Sequence, residues 1–267
     1  VSWFAPVIPP TVFIAGAAAG TGRATALRFA REGYRVGGYD LDMAGLSTLR
    51  DEAGRFGGQV VIGRLDVTDA GDWRQQLEAF TAPSGRLDIL VNNAGVLSAG
   101  RFEQTALATL RQMVDVNVYG VMAGLHTAFP YLRDTPHSQV INLCSASAIY
   151  GQPELAVYSA TKFAVRGLTE ALELEWRHHG IRVIDMWPLF VATAMVDGVA
   201  TASTKSLGVR LTPDDVADEI YAAARPRRRW PARVHYPVGR QTRVLAGLSQ
   251  VSPNWVQRLM NKTVTRT

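Results

Sequence analysis

The stretch "TVFIAGAAAGTGRATALRFAREG", Thr11–Gly33, decides the fold. Its first five residues form a short apolar run rich in β-branched side chains, which reads as a strand buried on both faces. Glycines then stand at Gly16, Gly20 and Gly22. From Arg23 onward apolar residues return at helical spacing, and Gly33 is placed to cap the helix. Strand, glycine turn and helix in this order bring backbone N–H groups and a helix N-terminus to one point. Such a point attracts an anion, and glycine lets the backbone approach it closely. In that context the turn predicts a dinucleotide site rather than a tight turn alone. The pyrophosphate would lie along Gly16, Ala18, Gly20, Thr21 and Gly22.

The alternation continues down the chain. "YRVGGYD" (34–40), "QVVIGRLD" (59–66), "LDILVNN" (87–93), "QVINLCS" (139–145) and "IRVIDMWP" (181–188) read as strands, and "ARVHYPV" (232–238) as a last one. Helices are predicted over 23–33, 43–56, 69–80, 103–133, 154–178 and 212–224. The last has Thr212 at its N-cap, Pro213 at its first position and acids in its first turn. Near-continuous apolar strands alternating with helices predict an α/β fold, one domain with a parallel sheet covered on both faces. Residues 194–211 fit no clear element and read as a lid or binding loop.

Composition narrows the function classes. The chain has 267 residues, 47% hydrophobic and 19% charged, an ordinary globular balance that suits a large core. Cys144 is the only cysteine, which excludes an intramolecular disulfide and a cysteine zinc site and fits a reducing, cytoplasmic setting. The five histidines show no zinc-hydrolase spacing, so no metal is expected. No apolar run approaches a membrane span, and "VSWFAPVIPP" reads as no signal peptide. Residues 225–267 hold ten Arg or Lys and no Asp or Glu, against a chain total of +5. Scattered arginines without aromatic platforms favour a solvated basic tail over a nucleic-acid surface. Within it Val244, Leu245, Leu248 and Val251 could form one helix face, and Trp255, Leu259 and Met260 another. Packing on its own domain or a second subunit is favoured over membrane contact, because Pro253 breaks the stripe.

Asp40 ends the second strand, 18 residues after Gly22. An acid there can bond the adenosine ribose hydroxyls and repel a 2′-phosphate. No Arg or Lys lies between Ala15 and Gly22 or just after Asp40, so NAD is expected rather than NADP.

These residues resemble the short-chain dehydrogenase/reductase family over nearly the whole chain. The glycine turn is similar to its TGxxxGxG motif, with Ala15 in place of the usual threonine. "LDV" at 65–67 is similar to its adenine-contacting segment, and "NNAG" at 92–95 to its motif after the fourth strand. Asn117 in "VDVNVYG", Ser145 in "NLCSAS" and "YSATK" at 158–162 match its four catalytic positions, Ser145 standing 13 residues before Tyr158. The resemblance implies a doubly wound Rossmann-type sheet of about seven strands. It implies hydride transfer between NAD(H) and an alcohol or ketone. Tyr158 would be general acid/base, Lys162 would lower its pKa, Ser145 would bond the substrate oxygen and Asn117 would support a proton relay. Ser147 competes with Ser145 for the donor role, and the 13-residue spacing favours Ser145. Leu41, Asp66, Val67, Asn93, Ala94, Gly95, Pro188, Val191 and Thr193 would complete the cofactor site, together with Tyr158 and Lys162. Leu189 stands where the family commonly has glycine. Leu97, Ser147, Tyr150, Leu189 and Met195 are the expected substrate-pocket residues, with Ile149, Val196 and Val199 near them, and they suggest a lipophilic substrate. A homodimer or homotetramer through helices near 103–133 and 154–178 is also implied. A non-enzymatic NAD-binding regulatory or scaffold protein on the same fold is the alternative.

Overall fold

The computed structural model describes residues 9–196, 201–225 and 233–251, with Pro253 and Lys262. Val199, Trp255, Leu259, Met260 and most of the basic run after Arg225 lie outside the described residues. The elements run β1 (Thr11–Ala15), α1 (Gly20–Arg31), β2 (Arg35–Asp40), α2 (Met43–Gly54), β3 (Gln59–Arg64), α3 (Ala70–Thr81) and β4 (Ile89–Asn92). They continue with α4 (Leu107–Val114), α5 (Gly120–Arg133), β5 (Gln139–Leu143), α6 (Ala156–Glu175) and β6 (Arg182–Trp187). The last are α7 (Ala202–Leu207), α8 (Pro213–Ala224), β7 (His235–Pro237) and α9 (Gly239–Val251).

Seven strands form one parallel sheet in the order β3-β2-β1-β4-β5-β6-β7. The pleat of β1 sends Val12 and Ile14 to one face and Phe13 and Ala15 to the other. The first face packs on Phe29 of α1, Leu46 and Leu49 of α2, and Ile220 of α8. The second packs on Trp73, Leu77 and Phe80 of α3, Leu125 of α5 and Val165 of α6. Phe13 stacks on Tyr39 with ring centroids 4.1 Å apart. The sheet is thus doubly wound. Its strand order reverses between β1 and β4, which opens a crevice at their carboxyl ends.

The helix predicted over 103–133 is broken. A 3-10 turn covers Phe102–Gln104, α4 follows, and Asp115–Tyr119 is a π turn before α5. The extra residue of the π turn rotates Asn117 into the interior, where it is 1% exposed. The 194–211 segment is not wholly irregular, because Thr201 caps the short helix α7 by accepting the Thr204 N–H. Of the apolar stripe expected at 244–251, the three residues whose side chains are described do not share one environment. Leu245 packs on the core, whereas Val244 and Leu248 point to solvent. Strand β7 is clamped by a polar cluster. Asp185 of β6, fully buried, meets His235 Nδ1 at 2.8 Å, and His235 Nε2 meets Glu170 of α6 at 2.9 Å. Among the described residues no helix is long and apolar enough to cross a membrane.

Candidate active site

The crevice holds a cavity of about 400 Å³ that runs from the glycine turn to the N-terminal part of α6. At one end Gly16 stands at φ +83°, and a side chain there would collide with Ala94 Cα at 2.6 Å. A Cβ on Gly22 would fall 1.9 Å from the Gly16 carbonyl oxygen, so the turn closes only with glycine at that position. Ala15 carries no hydroxyl to brace the turn, and Asn93 Nδ2 donates to the Gly16 carbonyl at 2.6 Å. The Gly16 and Ala17 N–H groups donate to the Tyr39 carbonyl at 2.7 and 3.1 Å. Gly16, Gly20 and Thr21 line the cavity, and Thr193 packs against the Gly20 Cα side. Ala18 and Gly22 lie behind the lining. Ala18 instead donates its N–H to Asp40 Oδ2 at 3.1 Å, fixing that carboxylate at the cavity edge.

Leu41, Asp66, Val67, Asn93, Ala94, Gly95, Pro188, Val191 and Thr193 all line the same cavity. Thr68 donates to Asp66 from its N–H and its hydroxyl, at 2.9 and 2.7 Å, and these bonds hold the Asp66 carboxyl below its ordinary range. Ala192, next to Val191, donates to the Leu211 carbonyl at 2.8 Å and ties that wall to the chain preceding α8.

At the other end Ser145, Tyr158 and Lys162 face the cavity together. Lys162 is 6% exposed, and its Nζ donates to the Leu143 carbonyl at 2.8 Å. The ammonium lies 5.6 Å from the Tyr158 ring centroid. Burial lowers the Lys162 pKa. It pushes the Tyr158 phenol up to about 12, against a smaller opposing effect of the Ser145 hydroxyl bond. The expectation that Lys162 brings the tyrosine down is not met in this structure, where burial dominates and the opposing effect comes from Ser145. The Cys144 thiol, 3% exposed, is likewise pushed up to about 12 by burial, and it donates to the Lys162 carbonyl at 3.2 Å.

Asn117 is not in the cavity lining. Its Oδ1 accepts the Val96 N–H and its Nδ2 donates to the Val96 carbonyl, both at 2.8 Å, with a third bond to Thr161 Oγ1 at 3.2 Å. The amide staples the segment after β4 to α6, one turn from Tyr158. Ser147 lines the cavity beside Ser145. Tyr150, expected in the pocket, packs instead on the core, with its hydroxyl buried and unpartnered. Ile149 is buried in the same cluster. Leu97, Leu189, Met195 and Val196 do line the cavity. Val96, among the residues after Gly95, lines it too, and Gln112, Val116 and Phe190 also line it and were not anticipated. The π turn brings Val116 there, and no sequence period announces such a turn.

Comparison with known proteins agrees with this architecture. The family model for short chain dehydrogenases matches residues 10–203. The 2,5-dichloro-2,5-cyclohexadiene-1,4-diol dehydrogenase of Sphingobium indicum is 31% identical over 231 residues, 84% of this chain and 92% of that protein. The 3-alpha-(or 20-beta)-hydroxysteroid dehydrogenase of Mycobacterium tuberculosis is 33% identical over 196 residues, 72% of this chain and 73% of that protein. The crystal structure of a 3-ketoacyl-(acyl-carrier-protein) reductase from Brucella melitensis, complexed with NADH, superposes with a TM-score of 0.78 at 28% identity, covering 87% of this chain and 98% of that one. With its parallel sheet, its crevice at the strand reversal and these relatives, the chain belongs to the short-chain dehydrogenase/reductase family, as a dehydrogenase or reductase that uses a nicotinamide cofactor.

Proposed function

We propose that the chain is a single-domain, NAD(H)-dependent oxidoreductase that interconverts a lipophilic alcohol and its ketone. The observation that carries the reading is one continuous cavity with Asp40 at one end and Ser145, Tyr158 and Lys162 at the other. The Asp40 carboxylate suits two ribose hydroxyls and opposes a 2′-phosphate. Arg23, the cation that directly follows the glycine turn, is committed elsewhere. Its guanidinium donates to Glu52 at 2.7 Å, Thr48 at 3.0 Å and the Gly45 carbonyl at 3.1 Å. The bound nicotinamide supplies or accepts the hydride. The protein's own residues handle the oxygen and its proton. In reduction the Tyr158 phenol donates a proton to the substrate oxygen while the Ser145 hydroxyl bonds that oxygen as charge develops. Lys162, held on the Leu143 carbonyl, borders the cofactor space. Asn117 supports the proton path by bracing α6 through Thr161, whose hydroxyl donates to the Tyr158 carbonyl at 2.7 Å. Leu97, Leu189, Met195 and Val196 give the substrate end an apolar wall, which favours a lipophilic compound.

Steady-state kinetics with both cofactors tests the cofactor choice. The native protein is expected to prefer NAD, and Asp40→Ala to erode that preference by about tenfold, the scale of one charged hydrogen bond. A native preference for NADP would overturn it. The same reading includes a homodimer or homotetramer in a reducing, cytoplasmic compartment.

A further inference from the structure

Ser145 Oγ accepts the Ser147 backbone N–H at 3.1 Å, and the two hydroxyl oxygens are 3.2 Å apart. Behind them, outside the cavity lining, stands Gln152, 2% exposed. Its Nε2 donates to Ser147 Oγ at 3.2 Å. Its own N–H donates to Ser159 Oγ at 3.1 Å, one residue after Tyr158, so the loop carrying Gln152 is fixed to α6. The buried amide keeps its donor on Ser147 while its Oε1 has no protein partner.

A hydroxyl carries one proton and can accept two bonds, and either serine can supply the proton between the pair. The amide donor breaks that symmetry. With Ser147 Oγ accepting from Gln152, the Ser147 proton is free to turn onto Ser145 Oγ. Ser145 Oγ then accepts twice, from the Ser147 N–H and O–H, and its own proton is left for the Pro188 carbonyl, a long bond at 3.5 Å, or for a stronger acceptor brought into the cavity. We infer that Gln152 is a positioning residue that directs the chain Gln152–Ser147–Ser145, so that Ser145 meets the substrate oxygen as a donor. Gln152 itself touches neither substrate nor cofactor. The inference rests on the dehydrogenase reading above.

The test uses the full chain with acetophenone and NADH, and NADH affinity by fluorescence titration as a second readout. Gln152→Met removes the donor at similar length, and kcat is expected to fall about tenfold, with KM and NADH affinity within about threefold, because the donated bond strengthens in the transition state. Gln152→Glu reverses the chain once ionised, since a carboxylate only accepts. Its kcat should gain a limb that falls with rising pH, reaching about 100-fold below native, the scale of a lost oxyanion donor. In a Ser147→Ala background neither substitution should cost anything further, because the relay is already cut. Kinetic losses that add to that of Ser147→Ala, losses that track NADH affinity, or both variants within about twofold of native kcat would each overturn the inference alone. A native protein that binds NADH but reduces no acetophenone would overturn the inference together with the reading beneath it.

Discussion

At Tyr158 two effects oppose each other. Loss of water favours the neutral phenol, and the Ser145 hydroxyl bond favours the phenolate; the first is larger and the phenol is pushed up to about 12. Such a group is protonated throughout the neutral range. It is then ready to donate in ketone reduction, whereas the phenolate needed to accept a proton in alcohol oxidation grows tenfold for each rise of one pH unit. Reduction is therefore expected to stay level between about pH 7 and 10 while oxidation climbs across the same range. Rates measured in both directions check this, and a reductive rate that falls away above about pH 8 contradicts it. Ser145, Tyr158 and Lys162 stood out in the sequence through their match to the family pattern, and the structure brings all three to one cavity. The balance of forces on them was not legible in sequence, because burial is set by β5, β6 and the walls of the cavity. The same limit hid the amides. Asn93 bracing Gly16, Asn117 stapling Val96 and Gln152 facing Ser147 all depend on partners brought by tertiary packing.

Among the elements, α8 shows local signals at their clearest. Thr212 Oγ1 accepts the Asp215 N–H at 3.2 Å, and Asp215 Oδ2 accepts the Thr212 N–H at 2.8 Å, a closed capping box. Thr212→Ala is expected to cost about 1 kcal/mol in urea unfolding. No measurable loss would mean that packing of α8 on α1, and not its cap, fixes the helix start. Strand positions were equally readable, since β1, β4 and β5 are buried at every residue and so read as short, mostly apolar runs. The π turn at Asp115–Tyr119 was not readable, because no glycine or proline within it marks the change of helical phase. Helix α7 was missed for its shortness, six residues behind a threonine cap.

For the whole molecule, strand–helix alternation predicted the parallel sheet, and the seven-strand order, which reverses between β1 and β4, places the crevice. The proposed oligomer is a matter of surface. Phe102, Leu107 and Val114 line a shallow apolar concavity with Val157 of α6, and Leu107 is 80% exposed. A second copy of the chain would cover this face. Light scattering is expected to give at least twice the chain mass, with Leu107→Glu shifting it to the monomer. A native monomer at micromolar concentration contradicts that expectation.

The central claim is proton transfer at Tyr158, and its most direct test is Tyr158→Phe. That variant should bind NADH with near-native affinity while its turnover with acetophenone falls by about 100-fold or more, the range of acid–base catalysis. Turnover equal to that of the native protein would contradict the account.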